Sequence, residues 1–194
     1  MKKIKLILLA LLLSVGTVSI AQKTKTFSGY GNTLNLGLGV GGYSGYYGYV
    51  GRTLPVFNIN YEFDVAKNFT LAPFLTYYAY ERSYSWGDKN HPDRFYTYRE
   101  TVIPVGVKGT LYLDQLVGAG PKWDFYAAGS VGFAIVNSRW DDGYYGDKYY
   151  YRRGNSLFLD AHIGAEYHIN NKVGLFLDAS TGVSTVGIAI HGNK

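Results

Sequence analysis

The sequence predicts an all-β fold, an eight-stranded antiparallel up-and-down transmembrane β-barrel, and three observations carry that expectation. Apolar and polar residues alternate with period two in eight successive runs between residues 33 and 192, and helical periodicity is nowhere sustained. Connections between the runs alternate between long and short, as in barrels whose loops crowd one rim. The chain also opens with an export pattern, and no later apolar stretch is long enough to span a bilayer as a helix.

The export pattern consists of Lys2, Lys3 and Lys5, an apolar run from Ile4 to about Val15, and the small-residue site Ser19-Ile20-Ala21. It predicts a signal peptide over 1–21, cleaved between Ala21 and Gln22; a spanning helix needs about 20 apolar residues, more than this run holds. Residues 22–32 then form an N-terminal linker and 33–192 the barrel. Three of the 19 basic residues leave with the signal, so the remaining chain nearly balances its 14 acids. The basic isoelectric point therefore gives no reason to expect nucleic acid as a partner. With no cysteine there is neither a disulfide framework nor thiol chemistry. The 20 tyrosines and 25 glycines stand out, and tyrosine suits an apolar–water boundary because its ring is apolar and its hydroxyl wet.

In the first run, Leu34, Leu36, Leu38 and Val40 share one face, opposite Asn35, Gly37 and Gly39. The second sets Phe57, Ile59, Tyr61 and Phe63 against Asn58, Asn60, Glu62 and Asp64. Further runs cover 69–81, 98–112, 123–137, 156–168, 173–183 and 186–192. Long connections fall at 44–53, 82–97 and 138–155, tight turns at 66–68 and 170–171, and a medium one at 113–122. The last connection, around Ser184-Thr185, is short where the pattern calls for a long one. Pro73 and Pro104 lie inside runs, where each removes a ladder donor, so bulges or strand ends are expected there. Phe74 and Phe176 fall on the polar side with no role beyond filling space.

The polar faces decide which side meets lipid. They carry Gly37, Gly39, Gly106, Ser130, Gly132, Ala134, Gly164 and Gly182 beside Glu62, Lys108, Asp160, Glu166 and Asp178. An eight-stranded interior is just wide enough for side chains to fill, so small and paired polar residues fit inside and the aliphatic face fits hydrocarbon. Only a closed barrel then satisfies every strand's backbone.

On these elements the chain resembles the eight-stranded outer-membrane β-barrel family, the group of the OmpA transmembrane domain and OmpX. The resemblance rests on Leu34-x-Leu36-x-Leu38, on Phe69-Thr70-Leu71-Ala72-Pro73 after a tight turn, on Gly164-Ala165-Glu166-Tyr167 before another, and on Val186-Gly187-Ile188-Ala189-Ile190. The final residues, Ile190-His191-Gly192-Asn193-Lys194, depart from the aromatic ending usual in the family. The resemblance implies residence in the bacterial outer membrane, with membrane lipid, lipopolysaccharide and the barrel assembly machinery as partners. Because the family has structural, adhesive and enzymatic members, fold alone does not assign the function.

Candidate site residues form two groups. Asn58, Asn60, Glu62, Lys108, Asp160, His162, Glu166 and Asp178 are expected to make a polar network inside the barrel, either a structural plug or a proton path or gated pore. Buried charges must be paired or change protonation, and four carboxylates facing one lysine need further donors or water. The second group is Arg52, Arg82, Arg94, Arg99, Arg139, Arg152 and Arg153, all in or beside the long loops, where guanidinium forks suit lipopolysaccharide phosphate or another ligand. Tyr-rich loops around Tyr46, Tyr47, Tyr49, Tyr144, Tyr145 and Tyr149–Tyr151 fit either a binding surface or an interfacial belt.

No catalytic residue, metal or cofactor is expected. His162, His168, Glu166 and Ser180 invite a lipid A hydrolase, but the sequence places no serine visibly within reach of a base. Asp141, Asp142 and Asp147 lack the spacing of a calcium loop. The expected function is a non-enzymatic structural or surface-interaction barrel. A narrow channel or transport accessory is the alternative, and a lipid A-modifying enzyme stands third.

Overall fold

The computed structural model describes residues 29–41, 52–53, 55–85, 95–140 and 156–192. Its strands are β1 (Thr33–Gly41), β2 (Arg52–Thr53), β3 (Val56–Ala66), β4 (Phe69–Ser85) and β5 (Phe95–Tyr112). After the one-turn helix α1 (Asp114–Val117) come β6 (Trp123–Trp140), β7 (Ser156–His168), β8 (Val173–Ser180) and β9 (Val183–His191). Every pairing is antiparallel, and β1 pairs with β9 from Thr33↔His191 to Gly41↔Val183, which closes the sheet into a barrel. The two-residue β2 lies on β4 beyond the end of β3, so the wall has eight staves. The expected signal segment and most of the three expected long connections lie outside the described residues.

Alternation dictates the two surfaces. On β4 to β8 the even-numbered residues point inward and on β9 and β1 the odd-numbered ones do, the phase following the register Asp178↔Thr185 and Gly39↔Thr185. The opposite phase exposes a continuous apolar surface: Leu38, Phe57, Val131, Phe133, Leu157, Ile163, Leu177 and Val186 are each more than half accessible. A soluble monomer rarely exposes apolar area on that scale.

Three local expectations change. Pro73 and Pro104 sit in mid-strand, opposite Val107 and Ala134 respectively, rather than at ends. Each keeps one neighbour and loses the other: the β3–β4 ladder skips from Asn60↔Phe74 to Phe63↔Leu71, and the β4–β5 ladder from Leu75↔Val105 to Tyr78↔Val102. A missing N–H therefore costs pairing on one side only. The last hairpin turns at Thr181-Gly182, not at Ser184-Thr185, so β8 stops at Ser180 and Gly182 is a turn residue. The turn is fixed by Asp160, which accepts from Thr181 Oγ1 (2.6 Å) and the Gly182 amide (2.9 Å).

The interior has two layers. Toward the long-loop end, Val56, Tyr78, Tyr80, Tyr98, Val102, Ala134 and Val183 pack into an apolar cluster flanked by Val136 and Trp140. The polar residues fill the middle and the short-turn end. Phe176 belongs among them because glycine makes room for its ring: a Cβ at Gly187 would lie 2.7 Å from it, and one at Gly37 3.2 Å. Phe74 packs on Phe158, ring centroids 5.7 Å apart.

Candidate functional site

Three carboxylate centres organise the lumen. Glu62, from β3, is 5% exposed and accepts hydrogen bonds from Asn35 Nδ2 (2.8 Å), Thr70 Oγ1 (2.6 Å) and Tyr112 Oη (2.8 Å). Asn35 also donates to Asn60, Asn60 to Asn58, and Asn58 to Thr76, so the β3 asparagines form one chain of bonds across β1, β3 and β4. Among the described residues, neutral donors alone hold Glu62, which is one way a narrow lumen accommodates more acids than cations.

The second centre is Asp178 on β8. Lys108 Nζ from β5 lies 2.5 Å from its Oδ2, Tyr126 Oη from β6 donates to the same oxygen at 3.0 Å, and His162 Nδ1 from β7 is 2.7 Å from Oδ1. Lys108 also stands 5.0 Å from the Tyr126 ring centre. His162 Nε2 faces Ser130 Oγ at 2.9 Å and Asp160 at 3.7 Å. Ser180, which the sequence suggested as a hydrolase partner, instead donates to Asp160 and to the Val183 carbonyl.

Asp178, His162 and Ser130 thus line up in the order of an acyl-transfer triad, which the sequence did not reveal because Ser130 and His162 come from different strands. Its surroundings argue for a structural role. Asp178 is shared with Lys108 and Tyr126, and the cavity beside the triad measures ≈ 40 Å³, room for a few waters and too small for an acyl chain. The amides of β6 and β7 pair along the sheet, as at Ser130↔Asp160, and the inward-turned amides of Gly182 and Val183 are taken by Asp160, leaving no free oxyanion cradle among the described residues.

Glu166, at the short-turn end of β7, is the third centre. His191 Nε2 from β9 lies 2.7 Å from Glu166 Oε1, and His168 Nδ1 lies 3.7 Å from the same oxygen. The far nitrogens are engaged as well: His191 Nδ1 with Thr33 Oγ1 (2.9 Å) and His168 Nε2 with Asp124 Oδ2 (2.7 Å). The segment before β1 crosses this mouth, its Gly31 amide donating to Asp64 (2.9 Å) and the Tyr30 ring stacking on Tyr112 at 3.9 Å. Burial, reinforced by Asp114, pushes the Tyr30 hydroxyl above the ordinary tyrosine range.

Sequence reasoning missed Thr33, Asn35, Thr70, Tyr112, Asp124, Tyr126 and His191 as network partners. Parity held the signal for most of them: Tyr112 and Tyr126 share the phase of Lys108 and Ser130. Buried Glu100, bonded by Tyr98 Oη at 2.5 Å, was missed too. Of the arginines, Arg99 and Arg139 lie opposite each other across β5–β6 near the long-loop rim, both exposed, with Arg99 Nε 2.6 Å from Glu81. Arg52 and Arg82 lie on β2 and β4 with only their backbone pairing described. Arg94, Arg152 and Arg153, with Asp141, Asp142 and Asp147, lie outside the described residues.

The closed ladder and the inverted polarity define the class: an all-β, eight-stranded antiparallel barrel of the transmembrane type. The chain matches no protein-family model and no curated protein. Among solved structures it is similar to a barrel from the de novo design of transmembrane β-barrels, with TM-score 0.44 and 14% identity over 84% of this chain and 97% of that one. It is also similar to the Yersinia pestis outer-membrane protein Ail in a phospholipid bilayer nanodisc (TM-score 0.41, 11% identity, 81% and 96% covered). A third is crystalline Ail, the attachment invasion locus protein of Yersinia pestis, in complex with the heparin analogue sucrose octasulfate (TM-score 0.42, 8% identity, 81% and 94% covered). The assignment to this class rests on the strand ladder, not on these likenesses.

Proposed function

We propose that this chain is exported by a signal peptide cleaved near Ala21 and resides in the bacterial outer membrane, as a non-enzymatic barrel presenting its long Tyr- and Arg-rich loops. One observation carries the reading: away from the rim that bears Glu81, Arg99 and Arg139, the described outward face is aliphatic and aromatic, while the buried charges and amides are turned inward. Such polarity suits hydrocarbon outside and a filled lumen within. The small cavity and the aromatic layer over it favour a plug rather than a conducting path, which moves the functional surface to the rim. Arg139, exposed beside the Arg99–Glu81 ion pair, supports a contact with lipopolysaccharide phosphate there, because Glu81 answers only one of the two guanidinium charges. The assembly machinery is the partner that insertion would require.

Cell fractionation with boiled and unboiled gel samples tests the location: an outer-membrane band whose migration shifts on boiling is expected, and a soluble, non-shifting band overturns the proposal. In planar bilayers the plug gives no discrete conductance steps, whereas stable single-channel steps favour the channel reading. The Asp178–His162–Ser130 line favours a second reading, acyl transfer. Labelling by a fluorophosphonate probe that Ser130→Ala abolishes would establish it.

A further inference from the structure

The short-turn mouth holds a set of groups that the plug does not require. Glu166, His168 and His191 each offer one ligand atom, and the three atoms all lie within 4.8 Å of one another. Two come from β7, two residues apart and therefore on the same inward face; the third crosses from β9 over the intervening β8. We propose that Glu166, His168 and His191 bind one divalent transition metal, with Zn²⁺ the best-matched ion. This departs from the expectation of no metal drawn from the sequence.

The donor set fits that chemistry. Two imidazoles and one carboxylate suit Zn²⁺ and its first-row neighbours, whereas Ca²⁺ and Mg²⁺ require mostly oxygen. The available nitrogens are the right ones. His168 Nδ1 and His191 Nε2 both converge on Glu166 Oε1, at 3.7 and 2.7 Å. Tetrahedral ligands about 2.0–2.2 Å from zinc stand roughly 3.3 Å apart, so the first separation closes slightly and the second opens on ion entry. The remote nitrogens already have outer partners, Asp124 for His168 and Thr33 for His191, the pairing that orients metal-bound imidazoles.

Two further features point the same way. Glu166 is 5% exposed, and its ion-pair partners among the described residues are these histidines alone, with no lysine or arginine. The neighbouring strand is also shaped for the carboxylate: a Cβ at Gly174 would stand 1.9 Å from Glu166 Oε1, so glycine there permits its position. His168 and His191 line a cavity of ≈ 690 Å³ shared with Tyr30, Asp124 and Lys172, which gives an ion a way in and leaves room for a water as fourth ligand. The bound ion would join β7 to β9 across β8 and hold the mouth beside the closing seam.

The test uses the untagged chain, refolded in detergent, titrated with Zn²⁺ by calorimetry and with Co²⁺ by visible absorption. One equivalent of Zn²⁺ with a dissociation constant of micromolar or below is expected, with Co²⁺ giving the intense bands of a tetrahedral site. His168→Gln and His191→Gln should each weaken binding at least tenfold, and Asp124→Asn by about 10- to 100-fold through the outer partner. His91→Gln, in the connection the sequence predicts over 82–97, should leave it unchanged. Gly174→Ala serves as a further variant, because the group it displaces is the flexible end of Glu166 rather than backbone, so the barrel should still form. Its migration shift on boiling should persist while affinity falls. No stoichiometric uptake by the wild type, or uptake unaffected by His168→Gln, His191→Gln and Gly174→Ala, would overturn the proposal.

Discussion

Replacing Lys108 with methionine keeps the length of the side chain and removes its charge from the lumen. Lys108 and Asp178 are only 10% and 3% exposed and meet at 2.5 Å. Removing one partner of a buried pair costs about 3–5 kcal/mol, because the other is left as an uncompensated charge. Asp178 keeps Tyr126 and His162, and a few waters can enter the adjoining cavity, so Lys108→Met should cost ~2–3 kcal/mol, below that full range. Asp178→Leu should cost more, ~4–5 kcal/mol, since it leaves Lys108 with little beyond the Tyr126 ring face 5.0 Å away. The double variant should then cost less than the two single losses together, by ~1–3 kcal/mol of coupling. Urea unfolding in lipid vesicles, followed by tyrosine and tryptophan emission and by gel migration, measures all three. A cost for Lys108→Met below about 1 kcal/mol, or strict additivity in the double variant, would refute the view that this pair closes the lumen.

Other expectations follow from the same coordinates. Gly187→Ala puts a Cβ 2.1 Å from the Leu36 carbonyl oxygen and should destabilise by ~1–3 kcal/mol in the same unfolding assay, whereas Gly129→Ala, with nothing within 4 Å, should be neutral or stabilise by about 0.5–1 kcal/mol. Leu177→Arg, on the outward face at 61% exposure, should cost about 2–4 kcal/mol in vesicles if it sits near mid-bilayer and much less in detergent; equal costs in the two media would count against the lipid-facing assignment. The raised pKa of Tyr30 gives docking of the N-terminal segment a definite pH sense. The contribution of its neutral hydroxyl is complete below the ordinary value of 10.0 and declines as pH rises from there toward the folded value. The absorbance difference at 295 nm between wild type and Tyr30→Phe should therefore titrate later than an ordinary tyrosine, and a midpoint at the ordinary value would exclude the buried, acid-flanked position.

The barrel was legible because period-two alternation survives any error in strand length. β1 and β3 to β9 all fall where alternation runs, and one continuous parity through β4 to β8 put the charges on one side. Boundaries were less readable. Thr181-Gly182 turns because Asp160, some 20 residues earlier, caps it, and such a contact leaves no local mark. Pro73 and Pro104 looked like strand breakers because the rule treats pairing as all or none, while a barrel stave has two neighbours and can lose a bond to one. The network partners were the hardest to see. Ser130 with His162, and His191 with Glu166, meet only through register between strands, which alternation does not fix. The aromatic layer of Tyr78, Tyr80 and Tyr98 was not anticipated, because phase alone does not say how deep a residue sits.

The seam between β1 and β9 has its own chemical check on alignment. Thr33 faces His191 and meets its Nδ1 only in the register Thr33↔His191, while His191 reaches Glu166 two strands away across β8. A slip of β1 by one residue would turn Thr33 to the lipid side and leave His191 Nδ1 without it, in addition to moving Leu34 and Leu36 inward. An unclosed barrel is thus penalised twice, by open backbone edges and by an unanswered imidazole nitrogen at its mouth. The final zipping of the wall and the pairing of Thr33 with His191 are one event, so a misaligned closure should reopen rather than persist as a trapped form.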